Sequence, residues 1–282
     1  MSQFINPLSD MGFKRIFGQE ENKAFLLDFL NITLKGEIEI RDIRYLDKEI
    51  LPAQENERTI VYDVYCITES GEYVIVEMQK ANQANFRKRT SYYQCRAVVL
   101  QGERGNGWKY DIKTVYGIFI IDSRFNADFG KLRTDLVTID RDTGEQHEDV
   151  MRSIFIQLPY FTKTEAECET DFDCWIYILK NMQKLEKIPF IDRNVIFGDL
   201  AKVMDVASLS RADRLRYERS LKIYRDNLAA MEYREQIGME RGLSKGLKKG
   251  KTEIARNMKA KGFTTDNIVE ITGLSEKEVE KL

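Results

Sequence analysis

Residues 59–79 decide the fold: Thr59-Ile-Val-Tyr-Asp63-Val-Tyr-Cys-Ile-Thr-Glu-Ser-Gly71-Glu-Tyr-Val-Ile-Val-Glu77-Met-Gln79. Thr59–Thr68 and Glu72–Gln79 are rich in Val, Ile and Tyr, which suit a pleated, half-buried strand. Between them Glu69-Ser70-Gly71 reads as a compact hairpin loop with glycine last. A three-residue loop makes opposed residue numbers sum to 140, so Asp63 faces Glu77. A two-residue loop would shift the register by one and still leave the two acids neighbours. Alternation puts Gln79 on the face of Glu77, with Val61, Tyr65, Ile67, Tyr73 and Ile75 around them.

Two carboxylates at cross-strand distance in apolar surroundings repel each other and lose solvation. Such a pair needs a cation, a shared proton or a basic partner. A hard divalent ion is one remedy, since Mg²⁺ binds through one or two carboxylates, waters and phosphate oxygens. The other is a structural ion pair with Lys14 or Arg89 as counter-ion.

Outward from the hairpin, apolar periodicity predicts one or two helices over 10–34, ended near Gly36. Ile38–Tyr45 alternates and suits a strand. Asn85–Gln101 reads as a helix closed by Gly102. Thr114–Ile121 and Met151–Leu158 are strand-like. Strands that fall between helices predict an α/β chain whose sheet is covered on both faces.

The segment 79–102 holds Lys80, Arg87, Lys88, Arg89 and Arg96 and no acid, with Tyr92 and Tyr93 interleaved. On a helix, Phe86, Arg89, Tyr93, Ala97 and Leu100 share the inward stripe. Arg89 there can reach the carboxylates or a phosphate, while Arg87, Lys88 and Arg96 can line a DNA backbone. A solvated basic face with a snorkelling arginine is the plainer alternative.

Composition narrows the chemistry. The 282 residues carry 44 Lys and Arg against 46 Asp and Glu, a net charge of −2, so nucleic-acid contact would have to be local. One histidine, His147, argues against centres built on several imidazoles and leaves oxygen-ligand chemistry as the natural metal option. Four cysteines without CxxC pairing read as buried small hydrophobes in a reducing compartment. The N-terminus lacks a targeting pattern and no apolar run approaches a membrane span, which gives a cytoplasmic expectation with no membrane partner.

From Glu165 the pattern is helical, with apolar stripes at Phe172, Trp175, Ile176, Leu179 and at Leu200, Val203, Met204, Ala207. Residues 241–262 carry eight bases and one acid. Three segments are expected: a core to 165, a helical extension over 166–235, and a tail over 236–282. Gly238, Gly242, Gly246 and Gly250 recur every fourth residue, as either a small-residue helix ridge or a flexible tether. Residues 257–279 resemble a helix-turn-helix, with Ser275 and Glu278 at capping-box spacing. The acidic final helix suits partner docking or self-association at least as well as base reading.

Asp63-Val-Tyr-Cys, a glycine turn, and Tyr73-Val-Ile-Val-Glu77-Met-Gln79 together match the D…ExQ variant of the PD-(D/E)XK nuclease signature. Its last position is usually lysine. The flanks Asn6-Pro-Leu-Ser-Asp10-Met-Gly-Phe-Lys14-Arg-Ile-Phe17-Gly, Leu26–Leu34, Arg89-Thr-Ser-Tyr-Tyr93 and Trp108-Lys-Tyr110…Val115-Tyr-Gly-Ile resemble the recombination-promoting nuclease family. Its members are also described as PD-(D/E)XK nuclease family transposases. The likeness runs over most of residues 4–235.

The resemblance implies an αβββαβ restriction-endonuclease-like core followed by a helical C-terminal region. It implies Mg²⁺, with Mn²⁺ or Ca²⁺ as substitutes, bound by Asp63, Glu77 and the Met78 carbonyl. Gln79 would orient water or a phosphate oxygen. Glutamine carries no charge, so Lys80, Lys14 or Arg89 would have to stabilise the transition state. Arg89 and Tyr93 would flank the site, and Asp10 and Lys14 match the N-terminal pattern. The implied activity is metal-assisted hydrolysis of double-stranded DNA, promoting recombination or element mobility. Paired cuts would favour a homodimer. The alternative is a nuclease fold that binds or assembles on DNA without turnover.

Overall fold

The computed structural model describes residues 2–51, 59–79, 85–103, 105, 107–123, 130–147 and 150–282, with the backbone alone at 231 and 235. Contacts divide the chain into a unit over 1–227 and a unit over 228–282.

The first unit opens with α1 (Asp10–Phe17) and α2 (Lys23–Thr33), so the periodic stretch is two helices. The start of α1 is tightly built. Ser9 caps it by accepting from the Gly12 N–H and donating to the Asn6 carbonyl. A Cβ at position 12 would lie 2.0 Å from the Asn6 oxygen, so only glycine fits there.

The strands are β1 (Ile43–Tyr45), β2 (Glu49–Ile50), β3 (Ile60–Val61), β4 (Val64–Thr68), β5 (Tyr73–Gln79), β6 (Val115–Ile121), β7 (Arg133–Leu136) and β8 (Met151–Gln157). Six of them form one mixed sheet in the order β1-β4-β5-β6-β8-β7, while β2 and β3 pair apart. The centre is parallel (β5 with β6, β6 with β8); the outer pairs are antiparallel.

The β4–β5 hairpin has the expected register, with Val64 opposite Val76 and Ile67 opposite Tyr73. Its loop closes through Thr68 N–H to Glu72 O at 2.9 Å, and Gly71 takes φ 100°, a conformation that favours glycine.

Two strand expectations need correction. Ile38–Tyr45 pairs only from Ile43, because the Asn31 side chain takes both the N–H and the carbonyl of Ile40 at 2.8 Å. Thr59–Thr68 is not one strand. Ile60 and Val61 pair with β2, the chain bends at Asp63, and pairing with β5 starts at Val64. The alternation restarts at the bend, so Val61 is 57% exposed and does not share the carboxylate face. The edge strand β7 was not expected: Arg-Thr-Asp-Leu has too few apolar residues to announce itself.

The sheet is covered on both faces. On one, Val64, Cys66, Val74, Val76, Ile118, Ile120, Ile154 and Ile156 pack with α1, α2, α4 (Asp171–Asn181) and α5 (Ile196–Met204). Phe17, Phe29 and Trp175 meet there with ring centroids 5.1–5.8 Å apart. The fully buried Trp175 donates its indole N–H to Asp28 Oδ2 at 2.6 Å, which satisfies its one polar atom.

On the other face lies α3 (Phe86–Val99), with Phe86 against Phe119 and Phe155 and Ala97 against the cluster of Tyr62, Tyr65 and Ile75. Its buried stripe includes Thr90 and Gln94. Leu100, expected inward, is exposed because the helix stops at Val99. Gln94 donates to the carbonyls of Val115 and Arg152 and accepts from Ser153. A Cβ at Gly117 would come within 2.7 Å of Gln94 and Phe119, so glycine lets that amide reach the sheet. Cys95, on the outer side of α3, is exposed, contrary to the expectation that all four cysteines are buried; Cys66, Cys168 and Cys174 are.

α6 (Arg211–Ala260) is helical through Gly238, Gly242, Gly246 and Gly250, and so not a flexible tether. Its Tyr217 hydroxyl accepts from the Asn6 N–H, and its Tyr224 hydroxyl donates to Asp122.

The second unit packs Ala255 with Ile268 of α7 (Thr265–Thr272), Leu274, and Val279 of α8 (Glu276–Glu280). Gly273 ends α7 in the left-handed region, and Ser275 and Glu278 form a reciprocal capping box. Among the described residues no helix is long and apolar enough to cross a membrane.

Candidate active site

The bend before β4 and the C-terminal half of β5 bring Asp63 and Glu77 together. Two crossed hydrogen bonds hold them. The Asp63 N–H donates to Glu77 Oε1 at 2.9 Å, and the Met78 N–H donates to Asp63 Oδ2 at 3.0 Å. Each carboxylate is thus fixed by backbone next to the other acid. The bend at Asp63 frees its N–H from the sheet ladder and makes the first of these bonds available.

Glu77 is 7% exposed, and Gln79 beside it is also buried. Burial, followed by the negative charge of Asp63, pushes the Glu77 carboxyl up to about 8. The Asp63 N–H, Arg89 and Lys14 act the other way and do not outweigh those two effects. A buried acid held beside a second acid is a site prepared for a cation or a proton.

Arg89 projects from α3 toward Gln79 and donates to its Oε1 at 2.6 Å. Its guanidinium also lies 5.2 Å from the centroid of Phe86 and 5.7 Å from that of Tyr93. Tyr93 is half-buried, and its hydroxyl pKa is raised by burial and then by the charge of Glu77. The Tyr93 carbonyl accepts from the Tyr62 hydroxyl at 2.9 Å, tying α3 to the strand segment just before Asp63.

Lys14 on α1 pairs with Asp10 one turn earlier, at 2.9 Å, and its charge reaches Glu77. Arg87 and Lys88 lie on the exposed side of α3. Arg96, expected among the exposed bases, is half-buried and donates to the Leu51 carbonyl at 3.4 Å. Lys80 lies outside the described residues.

One cation near the pair was not anticipated. Lys48 precedes β2, and its carbonyl accepts the N–H of Tyr62, next to Asp63. Its ammonium donates to the Gly18 carbonyl at 3.3 Å, at the end of α1. Its pKa is lowered, first by burial and then by the charge of Lys14, while Asp63 and Asp10 oppose the shift. The only local signal was a lysine in the mixed-charge stretch Asp47-Lys48-Glu49.

Among the described residues, no group of three or more His, Cys, Asp and Glu side chains is arranged as a metal cage. The donor set here is two carboxylates. That number suits Mg²⁺, which keeps several waters and takes further oxygens from a phosphate. A buried, electrostatically disfavoured Glu77 fits such a cation.

The family model for PD-(D/E)XK nuclease family transposases matches residues 7–234, which include α1, the β4–β5 hairpin and α3. Neither a search of curated proteins nor one of solved structures finds a match. The family match covers most of the chain, and the chain therefore belongs to the PD-(D/E)XK nuclease family transposase family.

Proposed function

We propose that the chain is a metal-dependent DNA endonuclease that hydrolyses phosphodiester bonds and thereby promotes DNA recombination or element mobility. The observation that carries this reading is the crossed pair of hydrogen bonds that fixes the half-buried Asp63 beside the buried Glu77. Family membership supports it. The succession α1 and α2, β1, β4, β5, α3, β6 is read as the αβββαβ core.

In this account Asp63, Glu77 and the Met78 carbonyl hold Mg²⁺, for which Mn²⁺ or Ca²⁺ can be tried as substitutes. The ion, when bound, supplies a positive field at the scissile phosphate and makes water a stronger nucleophile. Gln79 is held by Arg89 so that its amide nitrogen can donate to that water or to a phosphate oxygen. Arg89, stacked between Phe86 and Tyr93, is pre-oriented at the site wall. Lys14, Arg87, Lys88 and Arg96 are assigned to neighbouring phosphates of double-stranded DNA, with Asp10 holding Lys14. Lys80, next in sequence to Gln79, is assigned to the catalytic group as a base that can help stabilise the transition state. A homodimer would let two such sites cut both strands.

The test is cleavage of supercoiled plasmid with Mg²⁺ or with chelator, by the wild type and by Asp63→Ala. Loss of one carboxylate should lower the rate by at least about 100-fold, the kinetic equivalent of roughly 3 kcal/mol. Equal rates would sink the assignment. Gln79 in place of a charged residue favours one other reading, a nuclease fold that binds DNA without turnover. Its signature is salt-sensitive DNA retention with no metal-dependent cleavage.

A further inference from the structure

We infer that Lys48 is a catalytic residue of this site and supplies the positive charge that glutamine at position 79 cannot. The inference rests on the endonuclease reading above. The nearby described cations are engaged in different ways. Arg89 is bonded to Gln79 at 2.6 Å and stacked on two rings. Lys14 is paired with Asp10 at 2.9 Å on an exposed helix face. Lys48 instead makes no ion pair among the described residues; its ammonium rests on one neutral acceptor, the Gly18 carbonyl, at the long distance of 3.3 Å.

Lys48 is anchored where such a charge is needed. The Tyr62 N–H to Lys48 carbonyl bond of 2.9 Å extends the β2–β3 ladder by one step, to the residue before Asp63. The side chain crosses from there to the end of α1, within electrostatic reach of Asp63, Asp10 and Lys14. Its partial burial, which lowers its pKa, also makes its field less screened than that of a surface lysine. The incoming phosphodiester, a monoanion whose charge grows as the nucleophile adds, is a stronger acceptor for this ammonium than a neutral carbonyl.

In the reaction, water forms one bond to phosphorus while one ester P–O bond breaks with its electron pair. The proton lost by the water reaches the leaving oxygen through solvent. Lys48 keeps its proton throughout and stabilises the negative charge that builds on the phosphoryl and leaving oxygens.

A purely structural Lys48 would cap the end of α1. Lys48→Gln removes the charge and Lys48→Arg keeps it with a donor long enough for the Gly18 carbonyl, so the two variants together separate the roles. Plasmid cleavage is compared for wild type, Lys48→Gln, Lys48→Arg and Asp63→Ala, with thermal unfolding of each variant with and without Mg²⁺. Lys48→Gln should unfold like the wild type, keep the Mg²⁺-induced stabilisation, and lose about 100-fold in kcat with little change in KM. Lys48→Arg should stay within about tenfold of the wild type, since it restores the charge. Asp63→Ala should lose both cleavage and the Mg²⁺ response.

Lys48→Gln and Lys48→Arg both cleaving within twofold of the wild type, beside an inactive Asp63→Ala, would overturn the role of Lys48 and leave the endonuclease reading intact. A wild type no more active than Asp63→Ala would overturn both.

Discussion

Glu77→Gln tests the electrostatics of the site without the need for any substrate. Glu77 is buried beside Asp63, and its pKa stands at about 8 against the usual 4.5. An acid whose pKa rises on folding takes up a proton when the chain folds. Stability is then lost as pH rises from the unfolded value toward the folded one. At pH 7 the interval above 4.5 is about 2.5 units, and at about 1.4 kcal/mol per unit the cost is about 3 kcal/mol. Glutamine removes that cost, and its Oε1 can still accept the Asp63 N–H that Glu77 accepts at 2.9 Å. In chelator at pH 7, Glu77→Gln should therefore be more stable than the wild type by about 2–3 kcal/mol, the gap vanishing near pH 4.5. Urea unfolding at pH 4.5, 6, 7 and 8 reads this directly. Mg²⁺ at about 100 times its Kd should close this gap at pH 7, because such a ligand stabilises its binder by about 2.7 kcal/mol. A variant equal to or weaker than the wild type at every pH in chelator would refute the reasoning.

Three further outcomes concern other parts of the molecule. Gly12→Ala places a Cβ 2.0 Å from the Asn6 carbonyl and should cost about 3 kcal/mol in urea unfolding. Trp175→Phe removes the indole donor to Asp28 from the packed face and should cost about 2–4 kcal/mol by the same measure. Lys88→Ala, on the exposed side of α3, should leave stability unchanged and lower the slope of log Kd against log salt for duplex DNA by about 1.

The hairpin register was readable because it depends on local features: a glycine with φ 100° at the loop and the two-residue period of the strands. The same arithmetic brought Asp63 opposite Glu77. The two-sided covering of the sheet followed from the alternation of helices and strands. What escaped depended on partners distant in sequence. Ile40 looks like a strand residue until the side chain of Asn31 takes its backbone groups. Val61 looks like a neighbour of Asp63 until β3 turns out to pair with β2. Lys48 has no periodic or motif signal, since only folding carries it to the end of α1 and the bend at Asp63. The four-residue glycine spacing was ambiguous because helix propensity argues against what α6 forms.

The central claim is that Asp63 and Glu77 together hold a divalent ion. A crystal of the wild type soaked in Mn²⁺ and measured at the manganese edge tests it most directly. One anomalous peak is expected at about 2.0–2.2 Å from an oxygen of each carboxylate, an ion spacing near that of Mg²⁺. Manganese bound elsewhere, with none between Asp63 and Glu77, would contradict it.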